Sequence, residues 1–239
     1  MISRAIGRFR GDRRVLLGLL AVATLVGGRA WLAEHPEHDP WAPLDLRDPR
    51  GLATASKLSA LRGNVAECRA VLERSDVAFT ALEPAGEGEC RREDRLTLDE
   101  APLSPAAPQF TCPVAAGLTL WIEKDVQRLA EEHLGMRVAR IEQLGTYSCR
   151  RMYGAATGQW SEHATGNAID IAGFVLDDGS RISVLSDWDS AGPEARFLRD
   201  VRDAACSNFG VVLSPDYNAA HADHLHFDQG RTPGFGACR

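Results

Sequence analysis

Two short histidine motifs constrain this chain more than any other feature of its 239 residues. They are Ser161-Glu162-His163-Ala164-Thr165-Gly166-Asn167-Ala168-Ile169-Asp170 and His221-Ala222-Asp223-His224-Leu225-His226-Phe227-Asp228, and they hold four of the seven histidines, a clustering that calls for a shared purpose. In a strand, residues i and i+2 share a face. His224, His226 and Asp228 then point one way while Leu225 and Phe227 enter a core. The same alternation sends Ile169 and Ile171 to one side and Ala168, Asp170 and Ala172 to the other. Gly166 lets the chain turn so that His163 can approach Asp170. Two imidazole nitrogens and one carboxylate oxygen form the ligand set typical of catalytic zinc, with a fourth tetrahedral position left for water. Calcium or magnesium would ask for an oxygen-dominated cage instead. The cofactor expected is therefore Zn2+.

Around these motifs the periodicities predict an α+β fold, a small antiparallel sheet with flanking helices. Residues 34–51 carry Pro36, Pro40, Pro43 and Pro49 with few regular apolar repeats and read as a linker, with His35 and His38 solvated. Residues 52–100 form a small lobe. Leu58, Leu61, Val65, Cys68, Val71 and Leu72 fall at helical spacings on either side of an Arg62-Gly63-Asn64 break, and two short strands follow at 77–82 and 95–98. A Pro-rich connector at 101–111 leads to the domain at 112–239. There, Leu118, Trp121, Ile122, Val126, Leu129 and Ala130 trace a helix that Gly135 stops. Strands are expected at 138–149, 167–176, 181–185 and 224–228, and a helix over 193–209.

The N-terminus reads as an export segment at 1–33. Arg4, Arg8, Arg10, Arg13 and Arg14 precede the apolar run Val15 to Gly28, which is the layout of a signal peptide or, uncleaved, of a membrane anchor with its basic flank in the cytoplasm. The run itself is short of the roughly 20 residues that a spanning helix wants. The expected location is exported: periplasmic, or held to the inner membrane with the catalytic domain outside the cytoplasm. Six cysteines stand singly with no C-x-x-C pair, and an even count in an exported chain suggests disulfides. Pairing of sequence neighbours, Cys68 with Cys90, Cys112 with Cys149 and Cys206 with Cys238, is the simplest expectation. The net charge of -6 and the absence of a dense basic cluster beyond the N-terminus argue against nucleic acid as a partner.

The paired motifs resemble the S-x-H-x-x-G-x-A-x-D and H-x-x-H-x-H signatures shared by zinc D-alanyl-D-alanine carboxypeptidases, penicillin-insensitive murein endopeptidases and the hedgehog zinc domain. With Gly145-Thr146-Tyr147-Ser148-Cys149-Arg150 added, they resemble more closely the bacterial extensin-like C-terminal domain family. That resemblance implies a hedgehog/D-Ala-D-Ala peptidase-like zinc domain with His163, Asp170 and His226 as metal ligands and His224 lining the site. For a base it offers Asp223, three residues before the last ligand, or His221. A regular strand turns Asp223 away from the metal, which favours His221 or His224. Arg150 and Ser161 match the substrate side, where a guanidinium could hold a carboxylate. The activity implied is zinc-dependent hydrolysis of peptide bonds in peptidoglycan stem or cross-link peptides, of D,D-carboxypeptidase or endopeptidase type. The rival readings are a non-catalytic zinc-containing cell-wall binding module and a metal-bearing protein-interaction domain.

Overall fold

A computed structural model of the chain describes residues 10–231 and 236–239. Arg4 and Arg8 of the basic flank lie outside the described residues. The helices and strands in chain order are α1 (Arg10–Glu34), α2 (Thr54–Ala60), α3 (Val65–Arg74), β1 (Phe79–Ala81), β2 (Leu96–Leu98), β3 (Leu103–Ser104), α4 (Cys112–Trp121), α5 (Gln127–Leu134), β4 (Val138–Gly145), β5 (Ala168–Leu176), β6 (Arg181–Ser183), α6 (Val184–Asp187), α7 (Pro193–Ala205), β7 (Val211–Leu213) and β8 (Leu225–Asp228). The protein is mixed α+β.

The main sheet is organised around β5, whose period-2 side chains are buried almost throughout. One edge of β5 pairs with β4, and the other is shared between β8 along its first half and β6 along its second. Beyond β8 lies β7, while β3 pairs with β4 at the far edge. All of these pairs are antiparallel except β3 with β4, which is parallel, so the sheet is not purely antiparallel as its sequence suggested. β3 comes from the Pro-rich connector, and prolines, lacking an N–H, are tolerated only at such an edge. Pro102 contributes its carbonyl, which accepts from the Ile141 amide at 2.7 Å.

Beneath the sheet runs α4, in which every residue but Thr119 is buried. A helix apolar on all sides belongs inside a core. Its last residue, Trp121, packs edge-on against Phe227 at 5.1 Å and donates its indole N–H to the Val201 carbonyl of α7. A π-helical turn at Ile122–Val126 joins α4 to α5. One continuous hydrophobic cluster contains Leu58 and Leu72 from the 52–100 segment together with Trp121, Phe174, Phe197 and Phe227. Packing does not divide at residues 101–111.

Two departures from the sequence reading follow from that shared core. The disulfides are Cys68–Cys112, Cys90–Cys149 and Cys206–Cys238, so only the last joins sequence neighbours as expected. Doubling a loop adds only about 0.6 kcal/mol of closure entropy. Packing of α3 against α4 therefore decides the first bridge, bringing the Cα atoms of Cys68 and Cys112 to 6.0 Å. The 34–51 segment is likewise docked rather than free. Leu44 and Leu46 are buried, Arg50 forms an ion pair with the buried Asp125, and the Leu46 amide donates to Ser75 Oγ. His35 and His38 are not simply solvated, since both stack on Trp31.

Candidate metal centre

The register of β5 against β8 sets Asp170 directly opposite His226, with Ile169 opposite Phe227 and Ile171 opposite Leu225. Alternation then does the sorting: the two apolar pairs face the core, and the carboxylate and imidazole share the other face. His163 arrives from the turn Glu162–Thr165, which Ser161 caps by accepting the His163 amide at 3.3 Å. Gly166 closes that turn at φ 73°, a left-handed conformation that side-chain-bearing residues rarely adopt. His163 Nε2 consequently lies 3.2 Å from Asp170 Oδ1 and 3.1 Å from His226 Nδ1, and His226 Nδ1 lies 2.9 Å from Asp170 Oδ1.

Each imidazole is oriented from behind. The His163 Nδ1–H donates to the Thr146 carbonyl at 3.2 Å, because a carbonyl can only accept, which turns the Nε2 lone pair inward. His226 Nε2 donates to Asp228 Oδ2 at 3.1 Å, which turns its Nδ1 inward. Three electron pairs thus face one another in a nearly buried space, an arrangement that requires a cation among them, a proton or a metal. In the absence of a metal the proton belongs to His226. Burial opposes its charge, but hydrogen bonds to Asp170 and Asp228 outweigh burial and raise its pKa to about 9. Asp170 is held well below the ordinary carboxylate range: burial works against ionisation, and the neighbouring imidazoles of His163 and His226 prevail.

Two further histidines flank this group. His224 Nε2 is 3.6 Å from Asp170 Oδ1, and its Nδ1 donates to Asp223 at 2.8 Å, so Asp223 orients His224 and does not itself face the three converging atoms. His221 donates Nδ1–H to Asn218 Oδ1 at 2.8 Å and packs against His224 with ring centroids 5.2 Å apart. Burial, then the neighbouring His224 and His226, push its pKa down to about 4, so it is neutral at neutral pH. All of this opens onto a cleft of about 410 Å³, whose wall includes Arg150, Tyr153, Trp160, Tyr217 and Arg231. Arg150 is exposed on the rim; Ser161 also lines the cleft, its hydroxyl engaged in the cap.

The model of the family described as Extensin-like protein C-terminus matches residues 66–239. The chain belongs to that family. No curated protein and no solved structure matches it. The extensin-like region begins at Ala66, within the 52–100 segment, and includes all six cysteines and both histidine motifs.

Sequence reasoning assigned no role to three residues of the extensin-like domain that the structure places at the site. Asp228 lies two residues beyond His226 on the same strand face, a spacing that was a readable signal. Glu162 reaches the cleft wall, where Asn167 Nδ2 donates to it at 2.7 Å and burial raises its pKa. Gly230 leaves room for it, since a Cβ there would fall 2.7 Å from Glu162 Oε1. Thr146 contributes through its backbone carbonyl, which no side-chain pattern could reveal.

Proposed function

We propose that this extensin-like domain is a zinc-dependent hydrolase of peptide bonds in peptidoglycan stem or cross-link peptides, with His163, Asp170 and His226 as the metal ligands. The observation that carries the reading is the convergence of three inward-facing lone pairs. Tetrahedral coordination with bonds of 2.0–2.1 Å separates two ligand atoms by about 3.3 Å. The three separations here are 2.9, 3.1 and 3.2 Å, so a zinc ion fits with side-chain adjustments of a few tenths of an ångström. The Thr146 carbonyl and the Asp228 carboxylate supply the outer hydrogen bonds that fix ligand tautomers in metal sites. This donor set and outer shell support a zinc domain of the hedgehog/D-Ala-D-Ala peptidase type.

Bound zinc supplies a water ligand of near-neutral pKa and polarises a carbonyl. The chain's own residues do the rest. His224 accepts a proton at Nε2, and Asp223 behind its Nδ1 stabilises the imidazolium and fixes the ring, as a carboxylate does behind any catalytic histidine. His221, neutral and anchored by Asn218, offers a hydrogen-bond acceptor beside it. Arg150 on the rim binds a substrate carboxylate, and Ser161 shapes the cleft floor next to His163. The half-buried carboxylate of Glu162 suits an ammonium group or an amide N–H of a peptide.

The test is digestion of purified peptidoglycan by the zinc-loaded protein, with product peptides read by mass. Release that stops with chelator and in His163→Ala supports the proposal. A zinc-loaded protein that pulls down wall material but yields no product from varied wall substrates would leave a non-catalytic binding module. Crosslinking to a protein partner without affinity for wall fragments would favour an interaction domain.

A further inference from the structure

α1 and the neck that follows it are built in a way that a disposable export signal does not need. The apolar side chains along the body of the helix are open: Val15, Leu17, Leu19, Leu25 and Val26 are each at least 59% exposed. Its apolar stretch is longer than the Val15–Gly28 run, because the helix does not break at Gly27 and Gly28 but continues to Glu34. From Val15 to Leu32 the only charge is Arg29, giving about 18 residues and about 27 Å of helix, within the range that crosses a hydrocarbon core.

The outer end of the helix is joined to the folded domain through the side chains on either side of Ala30. Arg29 pairs with the buried Asp39 at 3.7 Å. Trp31 stacks on His35 and His38 at 4.5 and 5.1 Å. His38 in turn accepts the Leu52 amide at 3.1 Å, the Ala53 amide donates to the Glu37 carbonyl, and Lys57 Nζ donates to the Pro36 carbonyl at 2.6 Å. The passage from helix to core is a short ordered neck with no tether.

Around this neck stand the two most exposed large apolar side chains of the described residues, Leu52 at 88% and Trp41 at 80%, with Trp31 at 47%. Water gives such side chains no favourable surroundings. The boundary between acyl chains and headgroups suits them, because an indole is apolar in body and polar at its N–H, and tryptophans accordingly collect at that depth.

We infer that α1 is retained as a membrane anchor and that Trp31, Trp41 and Leu52 form a collar seated in the interfacial layer of the bilayer, holding the domain directly on the membrane surface. The occupant of this apolar surface is the lipid interface itself, since the collar is continuous with a helix whose only apolar solvent is the bilayer. The inference is independent of the metal centre.

The experiment uses the full chain. Its mass after expression with export intact reports cleavage. The protein reconstituted in phosphatidylcholine nanodiscs, with bromine placed either near the headgroup or deep in the acyl chains, reports tryptophan depth by fluorescence quenching. An uncut N-terminus is expected, together with a shallow-quenched component that falls in Trp41→Phe to the share contributed by Trp31 while deep quenching is unchanged. Leu52→Asp, a change at an exposed position, should also weaken the shallow component. A mature chain starting after Ala30, or equal shallow quenching of wild type and Trp41→Phe, overturns the inference.

Discussion

Histidines gather in two places in this protein, and the two gatherings behave differently. At the neck, His35 and His38 stack on Trp31, and their ring nitrogens meet a backbone carbonyl and a backbone amide. At the cleft, His163 and His226 are each held from behind by an oxygen acceptor so that their free nitrogens meet one another and Asp170. The neck holds two histidines and the cleft four, but the difference in kind is where the lone pairs point. A ring that shares its faces with an indole contributes packing. A ring whose far N–H is tied to an acceptor is aimed, and two aimed rings opposite a carboxylate make a cation site.

The strongest way to break that contrast is to remove one of the inward-facing side chains. His163→Ala and Asp170→Asn should each abolish stoichiometric zinc binding after dialysis, measured by metal content, and with it any peptide release from peptidoglycan. Retention of one zinc per chain in both variants would show that the convergence at the cleft is not the metal site. Next in size is the effect of pH. Zinc must displace the proton that His226 holds with a pKa of about 9, so apparent zinc affinity should rise about ten-fold per pH unit up to about pH 9 and then level off. Competition with a chelating dye across that range measures it.

The same proton sets how the metal-free protein responds to pH. The folded-state pKa of His226 lies above its ordinary 6.5, so its contribution is fully present below pH 6.5 and is lost as pH rises through about 9. Asp170 works in the opposite direction: its depressed pKa contributes stability above the ordinary 3.8 that is lost as pH falls. Metal-free protein should therefore lose up to about 3 kcal/mol between pH 6.5 and 9 in denaturant titrations. Zinc-loaded protein, with no proton on His226 to lose, should not show that decline.

How much of this was legible beforehand depended on whether a residue acts through its side chain and its near neighbours. The period-2 pattern around Asp170 and His226 announced two strands with one face in the core, and the strands at 168–176 and 225–228 lie within a residue of their expected bounds. Helix α7 ends at Ala205, short of the expected Phe209, because Cys206 to Asn208 turn the chain toward β7, a strand too short to carry a pattern. The disulfides Cys68–Cys112 and Cys90–Cys149 depend on tertiary packing and left no mark in spacing. At the cleft, the convergence of His163, Asp170 and His226 could be anticipated from motif and alternation. The Thr146 carbonyl and the neutral state of His221 could not, since one is backbone and the other is a consequence of burial.

A finer test of aiming leaves all three inward atoms in place and disturbs only what stands behind one of them. Asp228→Asn keeps the size of the side chain, and its amide oxygen can still accept the Gly230 amide, as Asp228 Oδ1 does at 2.8 Å. What it removes is the charged acceptor behind His226 Nε2, since the amide NH2 that replaces Oδ2 cannot accept that N–H. Zinc affinity should fall about 10- to 100-fold with the fold intact, the usual cost of losing an outer-shell partner. An unchanged affinity would mean that packing alone orients His226.

The smallest effect is expected at the neck, and it completes the comparison. His35→Ala removes a ring stacked on Trp31 at 4.5 Å and the bond of its Nδ1 to the Trp31 carbonyl at 2.9 Å, both at an exposed end of α1. No carboxylate orients that ring, and exposed stacking of this kind contributes about 0.5–1.5 kcal/mol. The variant should bind zinc with unchanged stoichiometry and affinity and shift the denaturation midpoint only slightly. A loss of zinc in His35→Ala would place a ligand at the neck and erase the distinction between aimed and stacked histidines on which the assignment of the cleft depends.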